Sequence, residues 1–575
     1  MDFQFILYTD EKIEENDMSA KKHSNHFLVQ GSILAAASLI VRLIGLLYRI
    51  PLNRIVGHEG MGIYSYAFDL YNLALILSSY SLPLAVSKLV AARTAFKEHR
   101  NSYRIFLCAM VFAITIGLAA TLIIFFGADF FAVVISNNPK VALPLRVLAP
   151  TILVFSIMGV FRGFYQGKNT MIPTAISQIL EQIVNAIVSI VASYLLMKNY
   201  SASVNVAAYG AAGGTLGTFI GAFVGLLFLV FVFIIYKPVL NKQMRKDTES
   251  PRESYKSIYK LLIITILPII LSQTVYQISG VIDNSMFGHL MEGKEIAAFD
   301  YEVLKSSETG LYSGDNVLAL IGIYSSEYRL LSNVPVAIAS AMAAAIVTSI
   351  SAAHARGYEE EIRSKVNAAI KFNMIIAIPS AVGMGVLASP ILRLLFRDSY
   401  QLSANFMRLG SIAIVFYALS TVSTSILQGI GKLKVPVINS AISLGIHVVL
   451  MYILLEFTSL SAYALVIGNV IFALVVSILN WFSLEKYLDY HQEILKTFVI
   501  PTVSSGLMGV AAYFICNGFM KWMGNILIPL LITIPISVVL YFSLLILMKG
   551  LDEHEIAQAP KGETIVRILR KMHLL

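Results

Sequence analysis

Apolar runs of about 20 residues follow one another along almost the whole chain, with short polar stretches between them. A run of that length can cross a bilayer as a helix, which satisfies its backbone hydrogen bonds internally. Only 13% of the residues are charged, whereas soluble proteins have about 25%. The sequence therefore predicts an all-α polytopic membrane protein with about 14 transmembrane helices.

Lys and Arg cluster in alternate loops, chiefly at 93–104, 237–260 and 355–365, while the longest loop of the other set, 289–316, is acidic. By the positive-inside rule the basic loops are cytosolic, with roughly 29 basic residues inside against roughly 10 outside. The prediction is a multi-pass protein of the bacterial cytoplasmic membrane with both termini in the cytosol. This distribution also explains the net charge of +9 without a nucleic-acid partner.

Two pairs of short motifs indicate an internal repeat. GIYS at 62–65 recurs at 322–325, and QGKNTMIP at 166–173 recurs as QGIGKLKVP at 428–436. Six spans in each half give both halves the same orientation, as in secondary transporters whose substrate lies between the repeats. The predicted organisation is a cytosolic tail (1–26), an N-lobe (27–236), a linker (237–257), a C-lobe (258–482), two further helices (495–548) and a basic cytosolic tail (549–575). Met1 and Met18 are both compatible with the start of translation.

The first span, SLIVRLIGLLYRIP, contains Arg42 and Arg49, which lie on nearly the same helical face because seven residues make almost two turns. Charges inside a bilayer are costly and mark functional sites by default. Arg42 is too deep to reach the interface easily, whereas snorkelling is a serious alternative for Arg49. Arg329 begins the eighth span, where interfacial anchoring competes with a functional role.

Four other ionisable residues are candidates. Asp69 and Lys88 in the second span could line the same cavity, although Lys88 is close enough to the span end to snorkel. Glu181 shares a face with two glutamines and suits either an ion site or a helix contact. Asp283 either takes part in ion coupling or caps its helix. Coupling to Na⁺, H⁺ or the membrane potential stays open.

The bias toward arginine predicts an anionic substrate, because the guanidinium fork binds phosphate oxygens bidentately. The sequence has no nucleotide-binding, metal-binding or catalytic motif, so it predicts no cofactor, no metal site and no enzyme activity. Cys108 and Cys516 lie within apolar runs, which disfavours a disulfide framework.

The six-plus-six-plus-two arrangement, the first-span arginines and the QG turn after the fourth span resemble the multidrug/oligosaccharidyl-lipid/polysaccharide (MOP) exporter superfamily. Residues 38–73 resemble its polysaccharide biosynthesis and stage V sporulation protein B branch, which includes MurJ-type lipid II flippases. The resemblance implies alternating access around a cationic cavity, with Arg42, Arg49 and Arg329 as headgroup contacts. The second-span arginines of Gram-negative members are replaced by Ala74 and Leu75.

We therefore expect a flippase for a lipid-linked oligosaccharide, most simply lipid II, that acts within membrane lipids and alongside cell-wall synthesis proteins. One alternative is export of another undecaprenyl-linked glycan for capsule or spore wall. A second is a cation-coupled drug or metabolite antiporter, which would depend on carboxylates such as Glu181. A third is a membrane-embedded transferase, for which the 289–316 loop has no recognisable catalytic arrangement.

Overall fold

The computed structural model describes residues 3–248, 251–292, 315–356, 358–396, 400–553, 566–567 and 570, and these residues contain helices but no strands. The predicted all-α membrane fold is thereby confirmed. Most of the acidic loop at 289–316 and most of the basic tail at 549–575 lie outside the described residues. The chain divides into two compact units, the first made of Met1–Ile55, Ala67–Val134 and Pro139–Gln277, the second of Val56–Tyr66, Ile135–Asn138 and Ile278–Leu575.

The helices in the first part of the chain are long and are interrupted by short π- and 3₁₀-helical segments. In order they are α1 (Phe3–Leu75), a π segment (Ile76–Tyr80), α2 (Leu82–Ala95), α3 (His99–Phe126), α4 (Ala128–Ser136), a 3₁₀ turn (Pro139–Val141), α5 (Ala142–Gly167), α6 (Ile172–Asn199), α7 (Val206–Lys246) and α8 (Tyr255–Leu290). Helix α7 continues into the predicted linker, because apolar residues still recur at helical spacing beyond residue 236.

The second part of the chain repeats this pattern. It contains α9 (Asn316–Ile323), a π segment (Tyr324–Arg329), α10 (Leu330–Arg356), α11 (Glu359–Val386), α12 (Ala388–Phe396), α13 (Tyr400–Gly410), α14 (Ile412–Gly429), α15 (Lys434–Phe457), α16 (Tyr463–Leu488), a π segment (Leu495–Val499), α17 (Ile500–Met523) and α18 (Leu527–Leu547).

Eleven helical stretches of the described chain are long and apolar enough to cross a membrane. The first, Ala36–Ala95, covers two predicted spans, which are separated at Gly57. Gly57 has φ +74° and ψ 172°, a backbone conformation that glycine adopts without a steric penalty. Helix α8 and the stretch from α9 to α10 occupy the positions of the predicted seventh and eighth spans.

In the first unit, α6 and α7 pack closely through small residues spaced four apart. A Cβ on Gly217 would lie 2.5 Å from the Ser189 amide nitrogen, and one on Gly213 would overlap Ser193. Ser189 also donates a 2.8 Å hydrogen bond to the Gly214 carbonyl. Small residues with hydroxyl bonds are how helices associate where no hydrophobic force distinguishes helix from lipid.

In the second unit, the glycines that begin the two GIYS motifs form a reciprocal backbone contact. A Cβ on Gly62 would overlap the Leu318 carbonyl, and a Cβ on Gly322 would overlap the His58 carbonyl. Each carbonyl belongs to the residue four positions before the opposite glycine. Matching positions of the repeat therefore meet each other in the described structure.

We predict that Gly217→Val destabilises the protein by about 1–3 kcal/mol, because the larger side chain forces α6 and α7 apart. Thermal unfolding of the purified protein in detergent measures this loss. Gly445→Ala is the matched control, because a Cβ at Gly445 meets no atom within 4 Å. An unchanged midpoint for Gly217→Val would contradict the close packing described here.

Candidate functional site

Helix α1 presents both predicted arginines on the face that approaches α6. Gly45 lies between Arg42 and Arg49 on this face, and a Cβ there would be 3.3 Å from the Gln182 side-chain nitrogen. The Arg42 side chain is exposed and that of Arg49 is half-buried. The Arg49 guanidinium lies 5.9 Å from the centre of the Phe68 ring, within cation–π distance. The face can therefore present two cations to an anion.

Asp69 and Lys88 occupy different environments in the first unit. Asp69 follows Phe68 on α1 and is half-buried, whereas Lys88 on α2 has an exposed side chain. The π segment Ile76–Tyr80 separates the two residues, and π segments often occur at functional sites. Asp69 is thus next in sequence to the ring that Arg49 contacts, whereas Lys88 lies beyond the π segment.

Glu181 forms a buried ion pair that the sequence analysis did not anticipate. Its carboxylate accepts a 2.7 Å hydrogen bond from Arg162 Nη2, and Arg162 Nε donates to Ser177 Oγ at 3.1 Å. The Arg162 side chain is 10% exposed and that of Glu181 is 17% exposed. The contact ties α5 to α6, which fits the predicted helix contact. The predicted ion role of Glu181 stays a prediction.

Asp283 in the second unit is also paired. Its carboxylate contacts Nε2 of His447 on α15, and both side chains are almost completely buried. The sequence analysis overlooked His447, although an imidazole inside an apolar helix is itself a signal of function.

Arg329 lies against helix α8 close to Asp283. A Cβ on Gly280 would be 3.2 Å from both terminal nitrogens of its guanidinium, so the absence of a side chain makes room for it. Gly280 and Asp283 are three residues apart and share a helical face. The structure therefore places Arg329 and Asp283, two separately predicted residues, in one neighbourhood.

A second buried histidine–carboxylate pair lies beside the reciprocal glycine contact. His58 Nδ1 is 3.3 Å from the carboxylate of Glu327, whose side chain is fully buried. Glu327 belongs to the π segment Tyr324–Arg329. Neither residue was a sequence candidate, because His58 falls in a loop-like stretch and Glu327 lies near a predicted span end.

The turn QGKNTMIP holds a half-buried amine outside the membrane-spanning helices. Lys168 Nζ lies 3.2 Å from His99 Nδ1, and burial lowers the pKa of Lys168 from 10.5 to about 8. Asn169 in the same turn has φ +58°, a conformation that Asn tolerates. The second turn, QGIGKLKVP, uses Gly431 with φ +79° instead, and its Lys432 is exposed.

Solved structures with the same architecture are transporters of the MOP superfamily. An inward-facing multidrug resistance MATE family transporter superimposes with a TM-score of 0.60 at 18% identity, covering 78% of this chain and 98% of the other. The lipid II flippase MurJ in an inward closed conformation gives 0.58 at 15% identity, covering 89% and 97%. These matches define the fold class as that of MOP-superfamily transporters, as the resemblance predicted.

Sequence comparison places the chain within that class. The family model for polysaccharide biosynthesis proteins matches residues 28–354, and the model for the lipid II flippase MurJ matches 323–533. The chain belongs to the polysaccharide biosynthesis protein family.

Two curated relatives come from Bacillus subtilis (strain 168). Lipid II flippase MurJ is 26% identical over 497 residues, which are 84% of this chain and 87% of that protein. Stage V sporulation protein B is 33% identical over 153 residues, which are 27% of this chain and 30% of that protein.

We predict that Arg162→Met costs about 3–5 kcal/mol of stability, because it leaves the Glu181 carboxylate in a low-dielectric site without its cation. Adding Glu181→Gln should restore most of the loss, since the double variant buries no unpaired charge. Denaturant unfolding of the single and double variants measures both effects. Additive losses would show that the two side chains do not act as a pair.

The low pKa of Lys168 predicts stability that rises with pH. Between about pH 8 and 10.5 the unfolded chain binds a proton at Lys168 that the folded chain does not, so the free energy of unfolding increases across this window. Lys168→Met should raise stability at neutral pH and flatten the increase. Lys432→Met, in the second turn, should keep the wild-type profile. Thermal midpoints as a function of pH test this, and identical profiles for both variants would contradict it.

Proposed function

We propose that this protein is a non-enzymatic flippase, which moves a lipid-linked oligosaccharide from the inner to the outer leaflet of the cytoplasmic membrane by alternating access. The observation that carries the proposal is the cationic face of α1, where Arg42 and Arg49 flank the contact of Gly45 with Gln182. A pyrophosphate linker is the anion that this face suits, because arginine offers paired donors to phosphate oxygens.

Lipid II is the substrate that the similarities favour. A relative that aligns over most of this chain is the lipid II flippase MurJ of Bacillus subtilis, and the MurJ family model matches residues 323–533. Export of another undecaprenyl-linked glycan uses the same pyrophosphate chemistry and differs only in the sugars. The two are therefore distinguished by substrate and not by the arginines.

The antiporter alternative depends on a carboxylate that binds a cation or a drug. Glu181, the carboxylate that suited this role, makes an ion pair with Arg162 in the described structure. Its charge is thus already compensated, which favours a structural role for Glu181 and supports the anion-binding proposal.

We predict that Arg42→Ala reduces flipping to background while the protein still inserts and accumulates, because the deep cation is lost. Arg42→Lys should retain partial activity, since it keeps the charge but loses the bidentate fork. The measurement is surface accessibility of lipid II in cells that depend on this protein alone.

Arg408→Ala is the matched control, because Arg408 is exposed and donates to Asn405 on its own helix. It should flip at the wild-type rate. Full activity of Arg42→Ala would refute the role of Arg42. Failure of the wild-type protein to support growth, together with activity on another undecaprenyl-linked glycan, would refute lipid II as the substrate.

A further inference from the structure

The pair formed by His447 and Asp283 is deeply buried among the apolar helices of the second unit. The exposed fraction is 1% for the His447 side chain and 8% for that of Asp283. The Phe472 ring packs edge-on against the imidazole with centroids 5.7 Å apart, which excludes water from that side. An ionisable pair in such a site is expensive unless its charges cancel.

The hydrogen bonds of His447 determine how many protons the pair contains. Nδ1 lies 3.0 Å from the Gly468 carbonyl oxygen, which can only accept, so Nδ1 bears a proton and donates it. Nε2 directly contacts the Asp283 carboxylate. Two lone pairs would repel each other there, so one more proton must lie between Nε2 and the oxygen. The pair is therefore loaded with a proton and has no net charge.

We propose that His447 and Asp283 form a proton-binding site, in which the proton shared between Nε2 and Oδ1 holds α8 against α15 and α16. When the proton leaves, a neutral imidazole faces a carboxylate with a charge of −1, and the hydrogen bond between them is lost. The shared proton is therefore required for the hydrogen bond that joins these helices. This assigns a binding site and its ligand where the sequence offered only an acidic residue that suited either coupling or capping.

Glycine at position 468 is part of the site. A Cβ there would be 2.9 Å from His447 Cε1 and would overlap the Met451 sulfur. The missing side chain lets the imidazole reach the α16 backbone, which fixes the Nδ1–H direction and aims Nε2 at Asp283. The orientation of the imidazole ring is therefore determined by contacts with two helices and not by a rotamer preference alone.

The charged and titratable groups near the pair lie on the π segment, on α14 and on α1, where Tyr66 donates a 2.7 Å hydrogen bond to the Asn284 carbonyl. Arg329 lies at Gly280, three residues from Asp283, and Tyr324 interacts electrostatically with both Asp283 and Arg329. Tyr328 and Tyr417 also interact electrostatically with Tyr324. Within one turn of Asp283, His447 and Gly468, helices α8, α15 and α16 add no other titratable residue. Arg329 is therefore the cation that the unprotonated carboxylate attracts.

A link to the substrate follows, and it rests on the function proposed above. The proton removes a negative charge beside Arg329, one of the arginines predicted to bind the pyrophosphate. Proton and anion should therefore strengthen each other's binding, and the coupling is reciprocal.

The donor set favours a proton over an alkali or alkaline-earth cation. Na⁺, Ca²⁺ and Mg²⁺ prefer several oxygen ligands, whereas this contact offers one carboxylate facing an imidazole nitrogen. The direct contact between nitrogen and oxygen also leaves no room for an ion between them.

Infrared difference spectroscopy of the full-length protein in detergent tests the site without any substrate. Stepping the pH should give a carboxyl or imidazole signal that disappears in Asp283→Asn and in His447→Gln. Asp283→Asn is the decisive variant, because its amide can donate to Nε2 and mimic the loaded pair without a titratable proton. His289→Gln is the control, since His289 is an exposed histidine near the end of the same helix, hydrogen-bonded to Ser285. A signal that persists in Asp283→Asn would overturn the proposal.

Binding of undecaprenyl pyrophosphate tests the link to the substrate. In weakly buffered solution the wild-type protein should take up protons on binding, and its affinity should fall about tenfold as the pair deprotonates. Asp283→Asn should bind without proton uptake at a pH-independent affinity. Replacing choline by Na⁺ at constant ionic strength should change neither result. A Na⁺-dependent loss of the infrared signal would overturn the choice of a proton.

The infrared experiment and the binding experiment can refute the proton site and the proposed function independently of each other. Absence of pyrophosphate binding at every pH would refute the anion-binding function and leave the infrared titration to decide the proton site. Binding that is equally tight across the titration of the pair, with no proton uptake, would refute the coupling while the anion-binding function stands.

Discussion

Every ionisable group in the apolar interior of this protein is subject to one constraint, which is that a charge in a low-dielectric medium needs a partner of opposite charge. Arg162 and Glu181 satisfy it in the first unit with a 2.7 Å contact. His447 with Asp283 satisfies it in the second. Each pair joins separate helical segments, so the need to neutralise charge also determines which segments must stay together.

The same constraint explains the contrast with Arg42. Its side chain is exposed on α1, and in the described part of the chain it forms no ion pair of the kind that Arg162 makes with Glu181. An arginine that the fold has not neutralised internally is suited to an anion from outside. The paired Arg162 and the exposed Arg42 thus lie in different environments within one unit, which fits the role proposed for Arg42.

The fold class could be predicted from the sequence, because the length of the apolar runs and the charge of the loops are properties of many residues. An error at one position changes them little. The sequence predicted Asp283 and Arg329 individually but not their proximity, which depends on Gly280 three residues from Asp283. It did not single out Arg162, His447, His58 or Glu327. The role of a buried ionisable residue depends on its partner, and each of these partners lies elsewhere in the chain. The sequence did not show that helix α7 continues to Lys246, within the predicted linker.

The reciprocal contact of Gly62 and Gly322 is made by backbone atoms alone. This contact does not depend on the rotamer of any side chain. Forming the contact also orders no long side chain, so no side-chain conformational entropy is lost. The alignment of this contact is therefore determined by the two helix backbones and not by the side chains that they carry. The essential property of both glycines in the repeated motif is the Cβ atom that they lack.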